Sequence, residues 1–353
     1  MFRYEHGHHG VVIYKPPSNY KIPRVLYART VLLNHTKNSP GTILATWENY
    51  SPEPPYFPIH RSTDQGKTWK EISRVYDQVN GWGLRYQPFL YELTESVGDY
   101  EAGTILLSGS AIPEDLAQTQ IDLYASTDSG VTWKFVSHVA RGGKALPDNG
   151  LTPVWEPFLM VHNHKLVLYY SDQRDPKHGQ KLVHQVTSDL KTWEPPVDDT
   201  SVEEYKARPG MTTIAELPNG QFILTFEWCG ADEGGCPVHY RLSKDPLDFQ
   251  NSPYYALKTR DRFAPNGSPY VVWTPEGGSH GTIVVSSGGR EEVFINKNLG
   301  NPGDWVKVST GAPTSYTRSL MAMADRKNIL IVGGGVLNGK NNTISADVFQ
   351  IPA

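Results

Sequence analysis

Cysteine is nearly absent from this chain of 353 residues, with two in all, Cys229 and Cys236. A framework of several disulfides and a cysteine-rich zinc centre are thereby excluded. The pair lies seven apart around Gly230, Gly234 and Gly235, a stretch able to loop back. A local disulfide is expected if the protein meets an oxidising compartment, and two reduced thiols otherwise. Excess charge of one sign is lacking too. The net charge is -4 with no basic run, so electrostatics offer no case for nucleic acid or an anionic membrane. No apolar run approaches the roughly 20 residues of a spanning helix. The histidines show no metal-ligand spacing, and the cluster His6, His8 and His9 is expected to be disordered rather than metallated. No metal and no cofactor are expected. The start at Met1 resembles no signal peptide; the expectation is a secreted protein in its mature form. Sequons stand at Asn34, Asn49, Asn266 and Asn341.

What the chain has in quantity is glycine, proline and aromatic residues, 32 Gly, 27 Pro and 11% aromatics, the composition of an all-β protein with many turns. It also repeats a phrase. Ser62-Thr-Asp-Gln-Gly-Lys-Thr-Trp69 recurs as Ser126-Thr-Asp-Ser-Gly-Val-Thr-Trp133, and shortened as Ser188-Asp-Leu-Lys-Thr-Trp193. Asp245-Pro-Leu-Asp-Phe249 and Asn301-Pro-Gly-Asp-Trp305 read as remnants. The Asp-x-Gly turn supplies side-chain hydrogen bonds and a permissive backbone, and the Trp covers the turn. The phrase resembles the Asp-box of sialidase-like propellers.

Six apolar runs confirm a unit of roughly sixty residues: 41–48, 103–110, 165–172, 220–227, 281–288 and 328–335. Continuous β-branched and aromatic runs of this length, bounded by Gly and Pro, predict strands buried on both faces. A second strand-like segment precedes each run, and a third leads into the Asp-box or its remnant. Six units of about four strands predict an all-β, six-bladed propeller occupying residues 1–353 as one domain. The last unit lacks a strand, and Val11-Val-Ile-Tyr14 is spare. It is expected to close the last blade and remove two open sheet edges.

In antiparallel blades, the start of the first strand and the end of the second meet on one face near the axis. First strands place Arg29, Gln87, Glu156, Thr212 and Arg318 there; second strands place Glu48, Ser110, Asp172 and Glu227. A concentration of carboxylates suits glycoside hydrolysis, which needs one protonated acid and one ionised carboxylate. Glu156 and Glu227 come from adjacent blades and have aromatic neighbours, Trp155 and Trp228. Asp172 is either a third carboxylate acting on a partner's pKa or the partner of Arg174 or Arg29. Arg29 and Arg318 bind an anionic group, orient carboxylates, or form structural ion pairs. Tyr316 is either a sugar-facing ring or core.

The segments Trp155-Glu-Pro-Phe158, Tyr169-Tyr-Ser-Asp-Gln-Arg-Asp175, His178-Gly-Gln-Lys-Leu-Val-His184 and Thr225-Phe-Glu227 resemble the fungal exo-1,5-α-L-arabinanases of glycoside hydrolase family 93. The resemblance implies a six-bladed propeller that releases arabinobiose from the non-reducing end of linear arabinan with retention. It implies Glu156 and Glu227 as the catalytic pair. It leaves open which is nucleophile, with Glu156 favoured, and Glu227 as acid/base. Trp155, Arg29, Asp172, Arg174, Tyr316 and Arg318 are the candidate substrate contacts. The expected partner is arabinan or an arabino-oligosaccharide, bound by a monomer. Cys229–Cys236 departs from the resemblance and leaves the pocket rim, hence substrate length, open.

Two other classes compete. A sialidase-like exo-glycosidase would carry three arginines and a Phe-Arg-Ile-Pro-type motif, where this chain reads Tyr27-Ala-Arg-Thr30. A non-catalytic carbohydrate-binding propeller would repeat its site in several blades, whereas acidic residues here concentrate in blades three and four.

Overall fold

The computed structural model describes residues 7–36 and 40–353. Six four-stranded antiparallel sheets follow one another around a ring, making a six-bladed β-propeller. The innermost strands of the first four blades are Val25–Leu32, Leu84–Glu92, Val154–His162 and Arg208–Glu216. Those of blades five and six are shorter, Tyr270–Thr274 and Ser319–Ala322. The apolar runs form the second strands, Ile43–Asn49, Ile105–Ala111, Lys165–Asp172, Phe222–Cys229, Thr282–Ser286 and Asn328–Gly333. Their side chains are mostly buried along the whole length because the next blade covers the face that the parent blade does not.

Val11–Tyr14 pairs antiparallel with Ile344–Gln350, Val11 opposite Ala346, and so supplies the outermost strand of blade six. His8 and His9 continue this seam, contrary to the expectation of disorder. The carbonyl of His8 accepts the Val348 N–H at 3.0 Å, and His9 Nδ1 lies 3.5 Å from Asp347 Oδ1. His6 lies outside the described residues.

The repeated phrase does what its chemistry requires. Asp64 Oδ1 accepts the Thr68 N–H at 2.9 Å, and the Trp69 indole N–H donates to the Gly66 carbonyl at 2.9 Å. Asp128 and Trp133 repeat both bonds, at 2.8 and 3.1 Å. Gly66 and Gly130 sit at φ +84° and +87°, in the left-handed region that glycine enters without a Cβ clash. Between blades the core is aromatic and aliphatic; Trp47, Tyr169, Tyr170, Phe226 and Trp305 are all under 2% exposed. Burying such rings contributes about 4–6 kcal/mol gross each at about 25 cal/mol per Å².

Candidate active site

One backbone device, repeated six times, builds the site. Tyr27, Gln87, Glu156, Met211, Ser268 and Thr317 all have positive φ, from 36° to 62°. In blades one to four each sits in a β-bulge of the innermost strand, marked by the register shifts Leu26/Arg29, Tyr86/Phe89, Trp155/Phe158 and Gly210/Thr213. A bulge inserts one residue and re-aims a side chain. Sheet alternation is thereby broken at the axis of the propeller.

The inward-turned backbone N–H groups are then captured by side chains. Glu156 N–H donates to Gln87 Oε1 at 2.9 Å. Ser268 N–H donates to Glu227 Oε2 at 2.7 Å. Thr317 N–H donates to Ser268 Oγ at 3.0 Å, and the Met211 backbone N–H favours the ionised form of Glu156. Each glutamate therefore meets the positive-φ residue of the following blade, Met211 for Glu156 and Ser268 for Glu227.

Glu156 and Glu227 converge. Glu227 lies directly opposite Gly210 in the ladder of blade four. A Cβ built on Gly210 would lie 3.7 Å from Glu156 Oε2 and 3.8 Å from Glu227 Oε1. Glycine at this position keeps the floor between the carboxyls open. Glu156 is 8% exposed, and its Oε2 has no hydrogen-bond partner among the described residues. Burial, and then the neighbouring Glu227, push the Glu156 carboxyl up to about 8. Burial also raises Glu227, against the Ser268 N–H and Arg208, which lower it. Two carboxyls in one dry site share protons in this way because both cannot ionise cheaply.

Around this pair the structure redistributes the residues expected from sequence. Tyr316 stays in place: its hydroxyl is held well above the usual range by burial and by the charges of Glu227 and Glu156. Arg29 is buried at the axis between the Tyr27 and Tyr270 rings, 4.1 and 5.0 Å from their centroids, and donates to the Thr317 carbonyl at 2.8 Å. Trp155 is a buried wall residue, its indole N–H on Gln173 Oε1 at 2.8 Å. Arg318 is corrected. It is 1% exposed and donates to the carbonyls of Glu291 and Glu292, both at 2.9 Å, so it is a structural strut turned off the axis. Asp172 and Arg174 take the second of the two readings left open for Asp172, the ion pair. They close on each other, Arg174 Nε and Nη2 reaching the two carboxylate oxygens at 2.9 and 2.8 Å. In blade three the counterpart of Glu48 and Glu227 is Ser171, opposite Trp155; Asp172, one residue on, takes the other side of the strand. Thr212 likewise gives its place to Met211.

Sequence reasoning missed Arg208, Gln180 and the role of Gly210. Arg208 lies within electrostatic reach of both glutamates and meets neutral amide oxygens, Asn149 at 2.7 Å, Gln173 at 3.1 Å and Gln180 at 3.2 Å. Its signal was its place at the start of an innermost strand. Glu48 was expected near the axis and is there: buried, its Oε1 taking the Tyr50 hydroxyl at 2.7 Å, and pushed up to about 7 by burial. Cys229 and Cys236 are joined by a disulfide. The loop they close donates the Cys236 N–H to Asn266 Oδ1 at 3.2 Å and accepts the Gly267 N–H at 2.8 Å. It thus braces the residues that deliver the Ser268 N–H to Glu227.

Neither a family model nor a curated protein sequence matches the chain. Solved structures do. A family 93 α-L-arabinofuranosidase of Fusarium graminearum, in complex with arabinobiose, is 53% identical over 98% of both chains, with a TM-score of 0.94. An α-L-arabinanase of Penicillium chrysogenum, also complexed with arabinobiose, is 50% identical over 98% of this chain and 99% of that one, again with a TM-score of 0.94. A sialidase of Streptococcus pneumoniae shares the fold alone, at 11% identity and a TM-score of 0.60. With full-length similarity at half identity, the chain belongs to glycoside hydrolase family 93.

Proposed function

We propose that the protein is an exo-acting glycoside hydrolase that cleaves linear α-1,5-L-arabinan from the non-reducing end and releases arabinobiose with retention, Glu156 and Glu227 being the catalytic pair. The observation that carries the reading is the convergence of these two buried carboxyls over Gly210, the Glu156 carboxyl pushed up to about 8 by burial and by the neighbouring Glu227. One group then protonates the leaving glycosidic oxygen while the other attacks the anomeric carbon; water later releases the glycosyl-enzyme with the first group acting as base. Further buried hydroxyls, Ser110 and Ser171, occupy the register of Glu48 and Glu227 and have no partner among the described residues. They suit a ligand rich in hydroxyls. The Fusarium and Penicillium relatives both bind arabinobiose. Action outside the cell, on a polymer, belongs to the same reading.

The resemblance favours Glu156 as nucleophile, whereas its carboxyl, pushed up to about 8, favours it as acid/base. Azide separates the two. With an activated substrate, the nucleophile variant should yield an inverted glycosyl azide and the acid/base variant a retained one. Either Glu156→Gln or Glu227→Gln should lower turnover on debranched arabinan by several orders of magnitude. Wild-type enzyme should accumulate arabinobiose; a ladder of mixed oligomers would indicate endo action, and release of sialic acid from a synthetic sialoside would move the protein to another class. Near-normal activity of both variants would overturn the assignment of the catalytic pair.

A further inference from the structure

Glu156 occupies a left-handed conformation, φ +62°, that a residue with a Cβ adopts only when its surroundings impose it. Pro157 follows directly, so the adjacent backbone offers no donor of its own to the ladder. The restraint comes from further away. Gln87 Oε1 takes the Glu156 N–H at 2.9 Å. Gln87 is itself left-handed, φ +59°, and its own N–H is held at 2.9 Å by Glu48 Oε2. Glu48 is fixed at its other oxygen by the Tyr50 hydroxyl at 2.7 Å. All three links are buried or nearly so.

We infer that Gln87 is a positioning residue for Glu156, anchored through Glu48 and Tyr50, so that blades one and two set the orientation of a carboxyl carried by blade three. The inference rests on Glu156 being one of the catalytic pair. Without the Gln87 acceptor, the Glu156 N–H is left unpaired in a buried site, which disfavours the conformation that needs it there. Relaxation to negative φ would swing the carboxyl away from Glu227. The rival account is a purely structural tether, of the kind that holds Thr317 to Ser268 Oγ. Its signature would be lost folding with unchanged chemistry in the molecules that do fold.

Gln87→Leu keeps the bulk and removes the acceptor; Gln87→Glu keeps an oxygen in place. Gln87→Leu should lower kcat on an aryl arabinobioside by about 10²-fold, with KM held within about twofold, because a displacement near 1 Å costs that much in a positioned group. Thermal unfolding should stay near wild type. Gln87→Glu should recover at least about tenfold of that loss in the acidic range, where the introduced carboxyl is neutral, and lose the recovery as pH rises. A kcat within about threefold of wild type for Gln87→Leu would overturn the inference. So would a parallel loss of kcat and folding with no recovery in Gln87→Glu. A crystal structure of Gln87→Leu reads the same point without activity: Glu156 retained at its wild-type φ and side-chain position overturns it, and Glu156 displaced supports it. If wild-type enzyme failed to cleave arabinan or the aryl glycoside, the proposed function would fall, and that crystal structure would still decide the positioning.

Discussion

Replacing Glu156 by Gln should stabilise the protein in mildly alkaline solution while abolishing turnover. In the folded state the Glu156 carboxyl titrates at about 8, against 4.5 for its ordinary value. Between those values the folded molecule keeps a proton that the unfolded chain has released. Stability conferred by the protonated carboxyl is therefore complete below the unfolded pKa and is lost as pH rises toward the folded one. The slope is about 1.4 kcal/mol per pH unit, so the ceiling over the window is about 5 kcal/mol. Part of the shift belongs to the Glu156–Glu227 pair jointly, which brings the expected gain to roughly 2–3 kcal/mol. For a chain of this size that is about 3–4 °C in Tm. Calorimetric scans of wild type and Glu156→Gln at about pH 5 and pH 8 test this. The wild-type Tm should fall across the interval and the variant's should fall less. Glu48, pushed up to about 7, contributes the same sign to both proteins and cancels in the comparison. Equal pH slopes for the two would refute the reasoning.

Gly210→Ala should reduce kcat/KM by about 10–10²-fold with little loss of folding, because its Cβ enters the space between the carboxyls and meets Gln180 Nε2 at 2.8 Å; wild-type kinetics would show that the floor is not used. Replacing both Cys229 and Cys236 by Ser should cost about 2–3 kcal/mol of stability for a loop this short, and lower kcat further than KM, since the loop braces the Ser268 N–H; unchanged kcat in the folded variant would separate the loop from Glu227. Arg318→Met should lower Tm markedly, leaving buried carbonyls unsatisfied, yet leave KM for arabino-oligosaccharide unaltered; a raised KM with normal folding would put Arg318 back in the pocket.

The fold was legible in the sequence because it rests on short-range regularities. The repeated Asp-box phrase and six apolar runs count the blades, and the missing strand of the last unit points to Val11–Tyr14. Glu156 and Gln87 were placed correctly because they stand at the bulge itself. Thr212 and Arg318 were each read one position past it, beyond Met211 and Thr317. A bulge adds one residue, and a one-residue slip exchanges the faces of a strand. On the second strand of blade three Ser171, and not Asp172, holds the register that Glu227 has in blade four. Nothing in composition marks which residue of Trp155-Glu-Pro-Phe takes positive φ. Arg208 escaped because its partners, Asn149, Gln173 and Gln180, are brought together only by the ring.

The seam made by Val11–Tyr14 and Ile344–Gln350 lies in blade six. In a ring of six, blade six stands diametrically across from blade three, which carries Glu156. Opening the seam would release the outermost strand first, at the perimeter, and the disturbance would have to cross either two whole blades or the axis to reach the glutamate. Damage at the seam is thereby kept remote from Glu156. The same geography makes the seam a natural handle: cargo tethered beside it would ride on the far rim of the disc, away from the blade that presents Glu156 to the polysaccharide.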